Sequence, residues 1–148
     1  MNIDDSIPDF SLRDANGILV SSKDLINHWT ILYFYPKDDT PGCTKEACDF
    51  RDAHSQLIKQ GIRVIGVSPD SAHSHQQFSE KHTLNFPLLC DEHLNLAKKF
   101  KVVNQENRGI ERSTFIINPD GKIVWKEQPV SIEGHTDRII EALEQLKK

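Results

Sequence analysis

The chain is poor in cysteine and has no long apolar run, and each shortage excludes a class of protein. Three cysteines in 148 residues are too few for a disulfide scaffold, and cysteines in such a low, odd number are more often catalytic, metal-bound or inert. No stretch of 18 apolar residues occurs, so we expect no membrane span. The segment Met1–Asp5 lacks the basic and apolar regions of a signal peptide, so we expect a cytoplasmic protein, with an organellar location after leader removal left open.

Basic blocks, internal repeats, low-complexity segments and interdomain linkers are also missing from the chain. The net charge is −4, which argues against nucleic acid as a partner. Hydrophobic residues make up 37% of the chain and charged residues 27%, as in globular proteins. A chain of 148 residues is long enough to bury one good core. We therefore expect a single domain over residues 1–148.

What the chain does contain is an alternation of apolar strands and helical patterns. The predicted strands lie at 7–12, 18–20, 31–35, 63–68, 86–90, 113–118 and 122–126. The predicted helices lie at about 44–60, 71–82, 94–100 and 135–147. Asn16-Gly17 and Pro119-Asp120-Gly121 predict hairpin turns. This order predicts an α/β fold, with a mixed central sheet flanked by helices on both faces.

One stretch of the sequence reads as strand, loop and helix, with a cysteine at the second junction. Pro36 ends the apolar strand, Pro41-Gly42 makes a sharp turn, and helix-forming residues begin near Thr44. Cys43 then lies in the first turn of a helix, where unpaired N–H groups and the positive end of the helix dipole favour a thiolate. This position predicts a nucleophilic sulfur; the alternative is a small buried cysteine that happens to begin a helix.

Cys48 follows Cys43 at a spacing of five residues. In a continuous helix the two Cα atoms would be about 8.5 Å apart, whereas a disulfide requires less than about 7 Å. The two sulfurs therefore cannot bond while the helix is intact. If they react, the spacing predicts a folded thiol form and a disulfide form in which the first turns have unwound.

The string Tyr-Pro-Lys-Asp-Asp-Thr-Pro-Gly-Cys-Thr-x-Glu-Ala-Cys, at residues 35–48, resembles the active-site signature of the peroxiredoxins. Its second cysteine makes it similar to the peroxiredoxin Q group, also called bacterioferritin comigratory protein. The resemblance covers nearly the whole chain and implies a thioredoxin-like fold with an added N-terminal β-hairpin. It also implies reduction of hydrogen peroxide and organic hydroperoxides by a monomer without a cofactor, with thioredoxin or a similar dithiol as the reductant.

The resemblance assigns roles to residues around the first cysteine. It implies that Cys43 is the peroxidatic nucleophile and that Cys48 is the resolving thiol, which condenses with the sulfenic acid to an intramolecular disulfide. Thr40 matches the family's hydroxyl that binds the sulfur and the peroxide, and a helix N-cap is a compatible alternative. Pro36 matches the proline that shields the sulfur from water. The backbone N–H groups of Gly42 and Cys43 should complete the site.

Arg112 precedes the strand Ser-Thr-Phe-Ile-Ile and matches the arginine of the family's second motif. At a strand start beside the central strand, its guanidinium is expected to favour the thiolate and to polarise the leaving oxygen. Arg108 is its competitor, expected to be a solvated loop charge. For Arg51 and Glu46 a structural ion pair is as reasonable as a direct role, so neither belongs to the predicted catalytic set.

The remaining cysteine and the histidines receive structural interpretations. Cys90 is expected to be an apolar structural residue, with a role as an alternative resolving thiol left open. The seven histidines are expected at the surface. His73 and His75 fall on different faces of a helix, and the cysteines and His54 lack the paired spacing of zinc ligands. We therefore expect no metal site.

Two other functions remain open on the sequence alone. A general thiol–disulfide oxidoreductase is disfavoured because no Cys-x-x-Cys occurs and because Thr40 and Arg112 would have no use in it. A redox sensor would use the same disulfide as a switch. A sensor would oxidise once and wait for a partner protein, whereas a peroxidase would turn over.

Overall fold

The structure, a computed structural model, describes residues 1–104, 106 and 109–147. Its strands are β1 (Ser11–Arg13), β2 (Leu19–Ser21), β3 (Trp29–Phe34), β4 (Ile62–Ser68), β5 (Leu88–Cys90), β6 (Ser113–Ile117) and β7 (Ile123–Glu127). Its α-helices are α1 (Pro41–Lys59), α2 (Ala72–His82), α3 (Asn95–Phe100) and α4 (His135–Leu146), and a 3₁₀ helix spans Ser22–Leu25. No helix in these ranges is long and apolar enough to cross a membrane.

The central sheet has five strands in the order β5-β4-β3-β6-β7. Strands β3, β4 and β5 run parallel, β6 runs antiparallel to β3, and β7 runs antiparallel to β6. Strands β1 and β2 form a separate antiparallel hairpin. The predicted mixed sheet and N-terminal hairpin are therefore confirmed. Strand β5 lies at the edge of the sheet and directly follows Pro87, which is consistent with the inability of proline to donate to a ladder.

Strand β3 lies at the centre of the sheet and is covered on both faces. Tyr33 stacks on Phe50 of α1, with ring centroids 4.6 Å apart, in a cluster that also contains residues of α4. Phe34 points to the other face and packs on Phe100 of α3 at 5.2 Å. An apolar strand whose alternate side chains enter two cores explains the unbroken hydrophobic run in the sequence.

Helix α1 begins at Pro41 rather than near Thr44, so the prediction of a turn at Pro41-Gly42 was wrong. Proline is tolerated at the first helical position because its missing N–H would have no intrahelical acceptor there. Thr40 is the N-cap residue, with extended backbone angles. Cys43 therefore lies in the first turn, as predicted, and Gly42 lies inside the helix.

The prediction of surface histidines was wrong for three of them. His54, His75 and His135 are buried, and this is tolerated because each ring has a polar or aromatic partner. His75 lies between a carboxylate and a backbone carbonyl, His54 contacts an amide oxygen, and His135 packs its edge on an aromatic ring. Arg108 lies outside the described residues.

Candidate active site

The junction of β3 and α1 positions the cysteine of the signature. The N–H of Tyr35 still donates to the carbonyl of Val67 in the sheet, at 3.0 Å, and α1 begins six residues later. The first helical bond runs from the N–H of Thr44 to the carbonyl of Thr40, at 2.8 Å. The N–H groups of Gly42 and Cys43 therefore precede the helical ladder, at the positive end of the helix dipole. This environment favours an anion at the cysteine.

Arg112 lies against Cys43, although the two residues are 69 positions apart in sequence. Antiparallel pairing places Ser113, the first residue of β6, opposite Phe34, the last residue of β3. Arg112 therefore enters the site at the end of β3 from which the chain continues to α1. Its Nη2 donates to Cys43 Sγ at 3.3 Å, and Cys43 is 1% exposed. A guanidinium at this distance stabilises a buried thiolate by charge and by hydrogen bonding.

Glu46 is the second partner of Arg112. Arg112 Nη1 donates to Glu46 Oε1 at 2.8 Å, and Glu46 is 1% exposed. Burial raises the pKa of Glu46 to about 7, although the neighbouring guanidinium opposes the rise. Burial lowers the pKa of Arg112, but Glu46 and Cys43 more than offset this, so its pKa is above the usual value. Glu46 follows Cys43 by three residues on the helix, a spacing that could have indicated a shared face.

His135 closes the far side of Glu46. Its Nδ1 lies 3.5 Å from Glu46 Oε2, and its ring packs edge-on against Phe50 with centroids 5.5 Å apart. Burial lowers the pKa of His135 to about 4. Neither Glu46 Oε2 nor either ring nitrogen of His135 has a hydrogen-bond partner among the described residues. Sequence reasoning missed His135, but its i, i+4, i+8 spacing with Ile139 and Leu143 placed it on the buried face of α4.

Gly42 allows the close approach of Arg112 to the start of α1. A Cβ atom at this position would lie 3.1 Å from Ile132 Cδ1 and 3.3 Å from Arg112 Nη2. Such contacts are tighter than ordinary van der Waals packing. The glycine therefore provides space for the guanidinium beside the sulfur.

The two other predicted residues of the loop, Thr40 and Pro36, lie before the first turn of α1. Thr40 Oγ1 donates to the carbonyl of Lys37 at 3.2 Å, and its side chain makes no capping bond to α1. Thr40 therefore occupies the N-cap position through its backbone conformation. Its hydroxyl does not cap the helix. Pro36 is exposed and directly follows Tyr35. Its shielding role remains a prediction.

The other two cysteines differ in their environments. Cys48 is half-buried on the unbroken helix α1, and all three cysteines are free thiols. This arrangement matches the predicted folded thiol form. Cys90 ends β5, where burial first and then nearby carboxylates raise its pKa to about 11. Its thiol therefore stays protonated at neutral pH and is a poor nucleophile. Arg51 pairs with Asp52 at 3.0 Å rather than with Cys43.

One group of potential metal ligands occurs in the described part of the chain, formed by Asp38, Asp70 and His75. Their ligand atoms are already engaged within the protein. Tyr35 Oη donates to Asp38 Oδ1 at 2.6 Å, and His75 Nδ1 lies 2.6 Å from Asp38 Oδ2. Ser68 Oγ donates to Asp70 Oδ2 at 2.8 Å. The group is therefore best explained as a hydrogen-bond network that joins the loop after β3 to α2.

Comparison with known proteins finds a family model and curated relatives that match most of the chain. The model of the AhpC/TSA family matches residues 3–126. The chain is 42% identical to peroxiredoxin Bcp of Bacillus subtilis over 153 residues, which cover 99% of this chain and 96% of the relative. It is 45% identical to a putative peroxiredoxin bcp of Coxiella burnetii, with 90% of this chain and 92% of the relative covered.

Solved structures give the same result for the fold. The bacterioferritin comigratory protein of Xanthomonas campestris matches with a TM-score of 0.90 and 37% identity, covering 94% of this chain and 92% of that chain. A variant of PrxQ from Xylella fastidiosa matches with a TM-score of 0.95 and 35% identity, covering 100% and 98%. The mixed sheet with its flanking helices is thus the thioredoxin-like fold of these proteins. The chain belongs to the AhpC/TSA family of peroxiredoxins and, within it, to the Bcp or peroxiredoxin Q group.

Proposed function

We propose that the protein is a thiol peroxidase that reduces hydrogen peroxide and organic hydroperoxides to water and alcohols. One observation carries this function: a buried sulfur at the start of α1 accepts a hydrogen bond from Arg112 at 3.3 Å. A thiolate, a fixed cation and free N–H donors are the groups that this reaction requires. The solved Xanthomonas relative was studied for its alkyl peroxide reduction activity, which supports organic hydroperoxides as substrates here.

In the first step the Cys43 thiolate attacks the terminal oxygen of the peroxide. The S–O bond forms as the O–O bond breaks, so the sulfur is oxidised to a sulfenic acid and the other oxygen leaves as hydroxide or alkoxide, which takes a proton from water. Arg112 stabilises the thiolate and then the leaving oxygen. The hydroxyl of Thr40 and the N–H groups at Gly42 and Cys43 hold the peroxide, and Pro36 limits access of water to the sulfur.

In the second step Cys48 attacks the sulfur of the sulfenic acid and releases water. The product is an intramolecular disulfide between Cys43 and Cys48. A dithiol reductant, for which we propose thioredoxin, then reduces this disulfide by two thiol exchanges and restores both thiols. The protonated state of Cys90 favours Cys48 as the resolving residue. We further propose that the enzyme acts as a single-domain cytoplasmic monomer without a cofactor.

Peroxide consumption with a thioredoxin system tests this function. The wild-type protein should turn over, Cys43→Ser should be inactive, and Cys48→Ser should oxidise once without recycling by thioredoxin. If Cys48→Ser turned over normally, Cys90 or an external thiol would resolve the sulfenic acid and the role of Cys48 would be wrong.

The same assay separates the two rival functions. If Arg112→Ala kept full peroxidase activity, a general thiol–disulfide oxidoreductase would be the better explanation. If the wild-type protein oxidised once and did not turn over with any dithiol, a redox sensor would be favoured.

A further inference from the structure

The charges around Cys43 do not balance when the Cys43 thiol and the Glu46 carboxyl are both ionised. A Cys43 thiolate and a Glu46 carboxylate would share one fixed cation, because Arg112 donates to both of them. Cys43 and Glu46 are almost fully buried, so a net negative charge there would be costly. A further proton in this group of residues would restore neutrality and leave the guanidinium to the sulfur.

His135 is the residue that can fix the position of that proton. Its Nδ1 lies 3.5 Å from Glu46 Oε2, and both atoms are buried without a partner. One proton between these two atoms would satisfy both of them with a single hydrogen bond. We propose that Glu46 and His135 form a proton-holding pair, in which a protonated Glu46 Oε2 donates to His135 Nδ1 while Cys43 is a thiolate.

This role rests on the proposed function, since the pair acts on the nucleophile of that function. Ionisation of the Cys43 thiol is then coupled to protonation of the Glu46 carboxylate: one S–H bond breaks, one O–H bond forms, and no electron moves. Glu46 and His135 are positioning residues, because they act on the sulfur through Arg112.

The pKa values of Glu46 and His135 place the proton on the carboxyl. Burial raises the pKa of Glu46 to about 7 and lowers that of His135 to about 4. Between these values Glu46 is protonated and the imidazole is neutral, so the carboxyl is the donor and Nδ1 the acceptor. A thiolate on Cys43 favours protonated Glu46 further, because two buried anions near each other repel.

The other charged groups around the pair already have their own partners. Glu127, on β7, makes two hydrogen bonds of 2.7 Å to Arg138 of α4. Asp49, one turn after Glu46 on α1, pairs with Lys45 at 3.2 Å. Arg112 is the remaining charge and contacts Oε1 of Glu46 rather than Oε2. Among the described residues, His135 is thus the group seen in contact with Oε2, at 3.5 Å.

The rate at which iodoacetamide alkylates Cys43, measured across pH, tests the pair. A background with Cys48→Ser and Cys90→Ser restricts the reaction to Cys43. In this background His135→Phe should move the midpoint of the profile to higher pH. Alkylation near pH ~6 should slow by about three- to tenfold, since a shift of one pH unit in the midpoint changes the thiolate fraction about tenfold. Without its acceptor, Glu46 ionises more readily and competes for Arg112.

Glu46→Gln distinguishes a proton effect from a packing effect. The amide cannot ionise, so His135→Phe should no longer change the profile when it is combined with Glu46→Gln. The matched control is His54→Phe, which replaces another buried histidine that packs edge-on against a phenylalanine of the core. This control should leave the alkylation profile unchanged.

Three results would overturn the pair. His135→Phe could leave the profile unchanged, its effect could persist in the Glu46→Gln background, or the midpoint could move to lower pH, which would mean that His135 donates to an ionised Glu46.

If His135→Phe does not fold, infrared spectra of the background protein decide instead. A protonated carboxyl band near neutral pH that is lost in Glu46→Gln is expected, and its absence contradicts the pair. Alkylation requires no peroxidase activity, so a failure of the proposed function is detected separately.

Discussion

At the scale of single residues, the site consists of one sulfur and the groups that decide its charge. The sequence predicted Cys43 and Arg112 through the signature and the second motif, and the structure brings the two side chains into contact. It did not predict that Glu46 would bind the same guanidinium or that His135 would lie behind it. Helical spacing indicates the faces on which Glu46 and His135 lie, but their contact depends on the relative position of α1 and α4, which no local pattern specifies.

Glu46 should make the stability of the protein depend on pH. Its pKa is raised from an ordinary value of 4.5 to about 7. The native carboxyl therefore keeps a proton that the unfolded chain releases, so its contribution is present below pH ~4.5 and is lost as pH rises through about 7. Between pH ~4 and ~8, the free energy of unfolding of Glu46→Gln should improve relative to wild type by on the order of 3 kcal/mol.

Denaturant unfolding of both proteins at several pH values measures this difference. Glu141→Gln, at an exposed position on α4, is the matched control and should show no such trend. A constant difference between Glu46→Gln and wild type across this pH range would show that Glu46 has an ordinary pKa.

Gly42 should be a position where a substitution changes activity much more than stability. Alanine gains up to about 1 kcal/mol of helix propensity over glycine, but its Cβ would lie 3.3 Å from Arg112 Nη2. Gly42→Ala should change the free energy of unfolding by less than about 1 kcal/mol, yet slow oxidation of Cys43 by peroxide about tenfold through displacement of the guanidinium. Stopped-flow oxidation, with Lys45→Ala as the control, tests this; an unchanged rate would mean that Arg112 adjusts without loss.

At the scale of elements, helix α1 carries both Cys43 and Cys48, and the proposed disulfide requires this helix to change between two redox forms. Its predicted start was wrong, because proline and glycine mark turns in most sequences, whereas here Pro41 occupies the first helical position. The strand predicted at 31–35 was confirmed as β3, because an unbroken apolar run is a signal of local composition. The apolar pattern of a buried strand was thus a better guide to the fold than the turn signal of Pro41-Gly42.

Formation of the Cys43–Cys48 disulfide should unwind the beginning of α1. The intact helix keeps the two Cα atoms about 8.5 Å apart, beyond the limit of about 7 Å for a disulfide. Amide hydrogen exchange should therefore lose protection in residues 44–48 after oxidation, while residues 52–59 keep it. Cys48→Ser treated with one equivalent of peroxide should retain protection throughout, and a disulfide form with a fully protected helix would contradict the unwinding.

At the scale of the whole molecule, the sheet register assembles the site from distant parts of the chain. The pairing of β6 with β3 brings Arg112 to Cys43, and the start of α4 adds His135. On the opposite side of the loop, Asp38 connects Tyr35 to Ser74 and His75 of α2. This buried network anchors the segment that leads from the sheet to the reactive helix.

His75→Phe should therefore destabilise the fold rather than alter the chemistry directly. Phenylalanine removes the 2.6 Å contact to Asp38 Oδ2 and the 3.0 Å contact to the carbonyl of Leu89. Leaving a buried polar group without its hydrogen-bond partner costs about 1–3 kcal/mol. Denaturant unfolding measures this cost, and His73→Phe, at an exposed position of the same helix, is the control. Equal stability of the two variants would rule out an anchoring role for the network.

The most direct test of the account is to find which sulfur takes the oxygen atom. Cys48→Ser is treated with one equivalent of hydrogen peroxide and then with dimedone, which labels sulfenic acids, and the digest is examined by mass spectrometry. We expect the label on Cys43, with Cys90 unlabelled. A label on Cys90, or consumption of peroxide without a label on Cys43, would contradict it.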